Sequence, residues 1–412
     1  MIAYQLSTKA KAYLRKLCLE ISNRRVGSRG NQEATDYFAG VIASFGFEVE
    51  SPEFDCIDWT QEGAQLRVAG AAFDVYASPY SLGCRLRAPL AAASTVDELE
   101  AVETSGKILL LRGDLTREHL MPKNFTFYNP EEHQHIIRLL EAKQPQAIIA
   151  ATSRDPGMAG AMYPFPLIED GDFDIPSVYM KDVTGHRLAV YTGKDVYLES
   201  RARRIPAKGC NVVARKGGGP NRRVVLCAHI DAKTGTPGAI DNASGIVTLL
   251  LLAELLVDYP GQLGIEIVAL NGEDYYSAPG EMLFLSQNAG KFEQVLLGVN
   301  LDGAGYHRGK TAYSLYDPPA DMVGMIRDVF AGYGGIIEGE QWYQSDHSLF
   351  VMNNRPALAI TSDASRELSS EIIHTPEDSP EIVSVENLVD IALALREILL
   401  RLDWSRISAE TH

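Results

Sequence analysis

Five short segments of this chain supply residue types that bind metal ions. The first, Val224-Val-Leu-Cys-Ala-His229-Ile-Asp231, reads as a strand ending in H-x-D. On an extended chain His229 and Asp231 point the same way, so one could ligate a cation while the other orients the imidazole. The second, Gly238-Ala-Ile-Asp241-Asn-Ala-Ser-Gly245, precedes an apolar helix. There Asp241 or Asn242 could equally be a helix cap, with Gly245 easing close packing. The third, Ala269-Leu-Asn-Gly-Glu273-Asp274, puts two adjacent acids after a buried strand, which is costly unless cations or hydrogen bonds compensate. The fourth is Asn300-Leu-Asp302-Gly and the fifth Ile372-Ile-His374-Thr-Pro-Glu-Asp378. Each alone says little; five of them at the ends of predicted strands describe a site, because α/β sheets build their sites there. The chemistry such a set supports is hydrolysis by metal-activated water, with imidazole nitrogen and carboxylate oxygen as ligands and a carboxylate as proton acceptor.

These residues must be carried by a framework that the apolar periodicity outlines. Ala34, Tyr37, Phe38, Val41, Ile42 and Phe45 recur at helical steps up to Gly46, and Phe47 to Phe54 alternates as a half-buried strand. From 51 to 204 short strands (Ile108 to Leu111, Ala147 to Ala151, Ile175 to Met180) lie between turns rich in Gly, Pro and Asp. After Arg203-Arg204-Ile205-Pro206, strands and helices alternate: Val224 to Ala228, helix Gly245 to Val257, Ile265 to Leu270, Val295 to Leu301, Ala357 to Thr361 and a last helix near Glu386 to Arg401. The expected architecture is an α/β domain of residues 1–50 and 205–412, its mixed, mostly parallel sheet sandwiched by helices, with a mainly-β module at 51–204 inserted. Gly217-Gly218-Gly219-Pro220 reads as a hairpin turn.

The order H-x-D, G-x-x-D-N-x-x-G, G-E-D, N-x-D-G and H-T-P-E-D resembles the M28 family of zinc metallopeptidases. Val26-Gly-Ser-Arg-Gly-Asn31, the helix at Ala34-Thr-Asp-Tyr-Phe38 and Ser345-Asp-His347 are also similar to that family. The resemblance implies a zinc-exopeptidase fold and two Zn2+ ions per chain, with Mn2+ or Co2+ as substitutes. It makes Asp241 the bridging ligand, His229 and Asp302 the other ligands of one ion, Asp274 and His374 those of the second, and Glu273 the general base beside Asp231. It further implies a cis peptide at Asp241-Asn242. Asp274 stands where many relatives have Glu. Ser345 and His347 are expected to support the ligands, and Tyr343 to serve as an oxyanion-stabilising residue in a register the motif does not fix. Gly106-Lys-Ile-Leu-Leu-Leu-Arg112 and Asp174-Ile-Pro-Ser-Val-Tyr-Met180 are similar to the protease-associated domain inserted in such enzymes, which is expected to cover the active-site mouth.

Composition limits the partners. The 412 residues hold 54 acidic and 38 basic side chains, and the resulting charge of -16 disfavours nucleic acid and anionic membranes. The five cysteines are scattered singly and read as free thiols; with no basic-then-apolar leader, a cytoplasmic protein is expected. The expected partners are peptides with a free N-terminus, and a homodimer is compatible with the sequence. His133 and His135 read as an exposed helix face. A carboxypeptidase or dipeptidase would need an arginine clamp, for which Arg308 and Arg366 are the candidates. A glutaminyl cyclase-like transferase would normally lack the insert, and a non-catalytic peptide-binding protein would be expected to have lost ligands.

Overall fold

The computed structural model describes residues 2–407 except 22, 118–119, 122, 124–128, 153–173, 219–221 and 276. It divides into two compact units. One comprises Met1–Asp55, Lys208–Asp274 and Ala278–His412; the other comprises Cys56–Ala207 with Tyr275–Ser277.

The first unit is built on eight strands: β1 (Glu48–Glu50), β2 (Val212–Gly217), β3 (Arg223–His229), β4 (Gly264–Leu270), β5 (Val295–Leu301), β6 (Thr311–Tyr316), β7 (Ile336–Glu338) and β8 (Ala357–Ser362). Their order across the sheet is β1-β2-β4-β3-β5-β8-β6-β7. The central strands β4, β3, β5 and β8 run parallel, and β2 and β6 pair antiparallel at their flanks. Every residue of β3 and β4 is buried, as expected of strands covered on both faces. Helix α1 (Ser244–Leu255) packs against the C-terminal helix α2 (Val385–Ile407) and the N-terminal helix Ile2–Arg15, which also pack on each other. Because it is surrounded, ten of its twelve positions are apolar or small and buried, rather than striped.

The opposite face of the sheet is covered through Phe284 and Phe350, whose rings meet edge to face at 6.2 Å. Gly298 in β5 makes room there, since a Cβ at that position would stand 2.2 Å from the Phe350 ring. Helix Arg29–Ser44 starts on Ser28, whose hydroxyl accepts from the Asn31 amide at 3.1 Å, and ends before Gly46 at φ +77.

Two local expectations change. The run from Phe47 to Phe54 is not one strand: it breaks at Ser51–Pro52, and a new strand begins at Glu53. Pro52 has no N–H to give to a ladder, while its carbonyl accepts from Asn211. The Gly217–Pro220 segment does not join a hairpin, because β2 and β3 both pair with β4, which lies between them; residues 219–221 lie outside the described residues.

The second unit has its own eight-stranded sheet, in which the long strands Glu53–Val68 and Asp195–Cys210 lie second and third from one edge; the boundaries after Asp55 and Ala207 fall within them. It also carries helices Val96–Ala101, Glu131–Lys143 and Asp182–Ala189, and an apolar cluster on each face of the sheet. Among the described residues no helix is long and apolar enough to cross a membrane. All five cysteines are free.

Candidate metal centre

Parallel pairing brings the ends of β4, β3 and β5 together at one edge of the sheet. His229 is registered against Leu270, after which come Glu273 and Asp274; Cys227 is registered against Asn300, so two residues further on His229 is level with Asp302. Asp241 arrives from the turn before α1. Its bond to Asn242 is the cis peptide. In that turn Asn242 Oδ1 accepts from the Gly245 amide at 3.0 Å and Asn242 Nδ2 donates to Leu301 O at 2.7 Å, while Asp241 faces the histidines. Gly245 is required because a Cβ would stand 2.6 Å from Leu301 O.

Asp241 spans two half-sites. Its Oδ1 is 3.0 Å from His229 Nε2 and its Oδ2 is 2.9 Å from His374 Nε2. In the first half Asp302 Oδ1 lies 3.6 Å from His229 Nε2; in the second, Asp274 Oδ1 lies 3.0 Å from His374 Nε2. His374 reaches this position from a backbone at φ +63. One ligand atom each from His229, Asp241 and Asp274 lies within 4.8 Å of the others. Glu273 Oε2 lies 4.0 Å from His229 Nε2, with 23% of its side chain exposed.

The residues fit divalent cations. His229 is fully buried, yet neither ring nitrogen has a hydrogen bond, although carboxylate oxygens crowd Nε2. Carboxylates gathered round a buried nitrogen without proton geometry are arranged as ligands are round an ion, and two imidazoles with three carboxylates are a zinc-type donor set. The titration behaviour has the same origin. Burial would lower the His229 imidazole, but Asp231, Asp241, Asp302 and Glu273 hold it well above its ordinary value. Burial would raise Asp241, but the two imidazoles close to its oxygens take it below the usual carboxylate range. Burial pushes Glu273 well up, opposed by His229 and reinforced by Asp302 and Asp274.

A supporting layer fixes these groups. Asp231 Oδ1 and Oδ2 accept from the amides of Gly272 and Asp274 at 2.8 and 3.1 Å, so it clamps the backbone on both sides of Glu273. Its distance to His229 Nδ1, 3.6 Å, is an ion-pair contact rather than a hydrogen bond. Ser345 Oγ donates to Asp302 Oδ2 at 2.6 Å and accepts from Asn300 Nδ2. His347 is buried against Trp342 and Tyr316, with Nε2 2.7 Å from Trp342 O. Tyr343 is not gathered with the ligands: it is 60% exposed and its hydroxyl donates to Gln341. Arg308 pairs with Glu367 at 3.5 Å, and Arg366 is exposed. In the second unit His133 is buried rather than exposed and accepts from the Met121 amide, while His135 pairs with Glu100 at the surface.

Sequence reasoning assigned no role to three supports. Asp378 accepts from the amides of Ile240 and Asp241 at 2.6 and 3.1 Å; burial and the nearby Asp241 charge push it up to about 7. Its signal was its place in H-T-P-E-D. Arg24, two residues before the Val26–Asn31 motif, is buried and donates to the carbonyls of Leu17, Ile230, Pro237 and Gly238, tying down the turn between Asp231 and Asp241. Lys233 Nζ donates to Asp274 O; nothing in its sequence context marks it.

Residues 211–399 match the model of Peptidase family M28. A probable leucine aminopeptidase 2 of Aspergillus fumigatus is 24% identical over 381 residues, covering 88% of this chain and 71% of its own. Among solved structures, a zinc aminopeptidase of Bacillus subtilis superposes with TM-score 0.73 at 22% identity, over 96% of this chain and 94% of its own. An aminopeptidase of an Aneurinibacillus strain does so with TM-score 0.72 at 18% identity, over 96% and 95%.

Proposed function

We propose that this chain, whose residues 211–399 match the model of Peptidase family M28, removes N-terminal residues from peptides, using two co-catalytic zinc ions and Glu273 as general base. The observation that carries this reading is the shared carboxylate of Asp241, with one oxygen toward His229 and the other toward His374. His229, Asp241 and Asp302 would hold one ion, and Asp241, Asp274 and His374 the other. When bound, these ions supply Lewis acidity, which acidifies water, polarises the scissile carbonyl and anchors a free amine.

The chain's own residues then have separable tasks. Glu273 takes a proton from the attacking water at a carboxylate oxygen and returns it to the amine nitrogen as the peptide bond breaks, so it ends as it began. Burial raises the proton affinity of its carboxyl, opposed by the His229 imidazole. Asp231 keeps Glu273 on station through the amides on either side of it. Ser345 turns Asp302 toward the site. We read residues 56–207 as a protease-associated-type lobe that supplies no ligand. Peptides opening with an apolar residue are the first substrates to try, given the relative named leucine aminopeptidase.

The test is hydrolysis of paired free and N-acetylated peptides, with bound metal counted in the same preparation. Free peptides alone should be cleaved. Glu273→Gln should lose at least a factor of about 100 in kcat while keeping its metal content. Cleavage of acetylated peptides would reassign the chain to carboxy- or endopeptidase chemistry, and full metal content without cleavage would leave a binding protein.

A further inference from the structure

By ligand count the two half-sites are equivalent, each having one histidine, one private aspartate and half of Asp241. They differ in what stands behind the private aspartate. Asp302 receives a neutral hydroxyl from Ser345, and among the described residues no lysine or arginine pairs with it. Asp274 is backed by a cation. Lys233 Nζ lies 3.1 Å from Asp274 O and 3.7 Å from Asp274 Oδ1, and the two side chains are only 11% and 4% exposed. So enclosed, the ammonium charge is weakly screened and acts on the same carboxylate that a metal ion would use. The lysine is not free to swing away, because its turn is fastened by Arg24 at Pro237 and Gly238 and by its own bond to Asp274 O.

We propose that Lys233 lowers the affinity of the Asp274–His374 half for its cation, so that the centre fills in order, His229–Asp302 half first. A positive charge beside Asp274 withdraws part of that carboxylate's negative potential and repels an incoming divalent ion, while the more distant half feels it less. Asp274, with its short side chain, cannot move its carboxylate far from the ammonium without leaving His374, 3.0 Å away. The chain would thus work at full rate only where free zinc is high enough to load the weaker half. The inference rests on the two-ion reading given above.

Calorimetric titration of metal-stripped protein with zinc chloride separates the two. Wild type should show a tight and a weaker event. Lys233→Met and Lys233→Gln should each strengthen the weaker event by roughly tenfold and leave the tight one within about twofold, whereas Lys233→Arg should stay within about threefold of wild type in both. Gln can still donate to Asp274 O, so a gain common to Met and Gln but absent from Arg assigns the effect to charge. Should Met not fold, Gln alone decides. Two resolved events with no gain in the neutral variants overturn the inference and leave the two-ion reading in place. Uptake of fewer than two ions by saturated wild type removes that reading and the inference together.

Discussion

At the scale of single residues the centre depends on side chains that aim other side chains. Asp302, 15% exposed at its side chain, is aimed by Ser345, whose hydroxyl holds its Oδ2 at 2.6 Å and is itself held by Asn300. Removing an outer partner of a metal ligand typically costs 10- to 100-fold in affinity. Ser345→Ala should therefore weaken zinc binding by about that factor in a metal titration, with an unchanged circular dichroism spectrum; an unchanged affinity would make Ser345 a packing residue. The candidate ligands were legible in the sequence because each belongs to a short motif. Lys233 and Arg24 were not, because a lone basic residue in a turn has no periodicity, and Asp274 lies 41 positions from Lys233 while Ile230, Pro237 and Gly238 lie more than 200 from Arg24.

At the scale of elements, the apolar runs read from the sequence become β3, β4, β5, β8, the helix Arg29–Ser44, α1 and α2. Burial on both faces leaves a continuous hydrophobic run that a turn residue ends sharply. Thr311–Tyr316 and Ile336–Glu338 were not legible, since they are strands chiefly by pairing with β8 and with each other. Packing of the second face hangs on one position. At Gly298 any side chain must displace the Phe350 ring, so Gly298→Ala should cost about 1–3 kcal/mol, read as a lower denaturant midpoint with an unchanged slope. A neutral result would mean that the ring moves aside without loss.

At the scale of the molecule the candidate ligands all belong to one of the two units. A ligand present at a hundred times its dissociation constant stabilises the folded state by about 2.7 kcal/mol, and only where it binds. Stripping metal with a chelator should therefore abolish hydrolysis and lower the melting temperature of the unit containing His229 and His374. A transition of the Cys56–Ala207 unit, if resolved, should stay where it was; movement of both together would show that the two units melt as one. The sequence by itself determined which residue types stand at the strand ends and in what order, because motifs and hydrophobic periods are local. Tertiary structure decided which carboxylate oxygen faces which nitrogen, and that a lysine stands behind one half-site. It also decided that Asp378 pins Asp241 from 137 residues away and that the unit boundaries after Asp55 and Ala207 fall inside two long strands. Those choices depend on pairings between distant segments, and a sequence read locally records each partner but not that they meet.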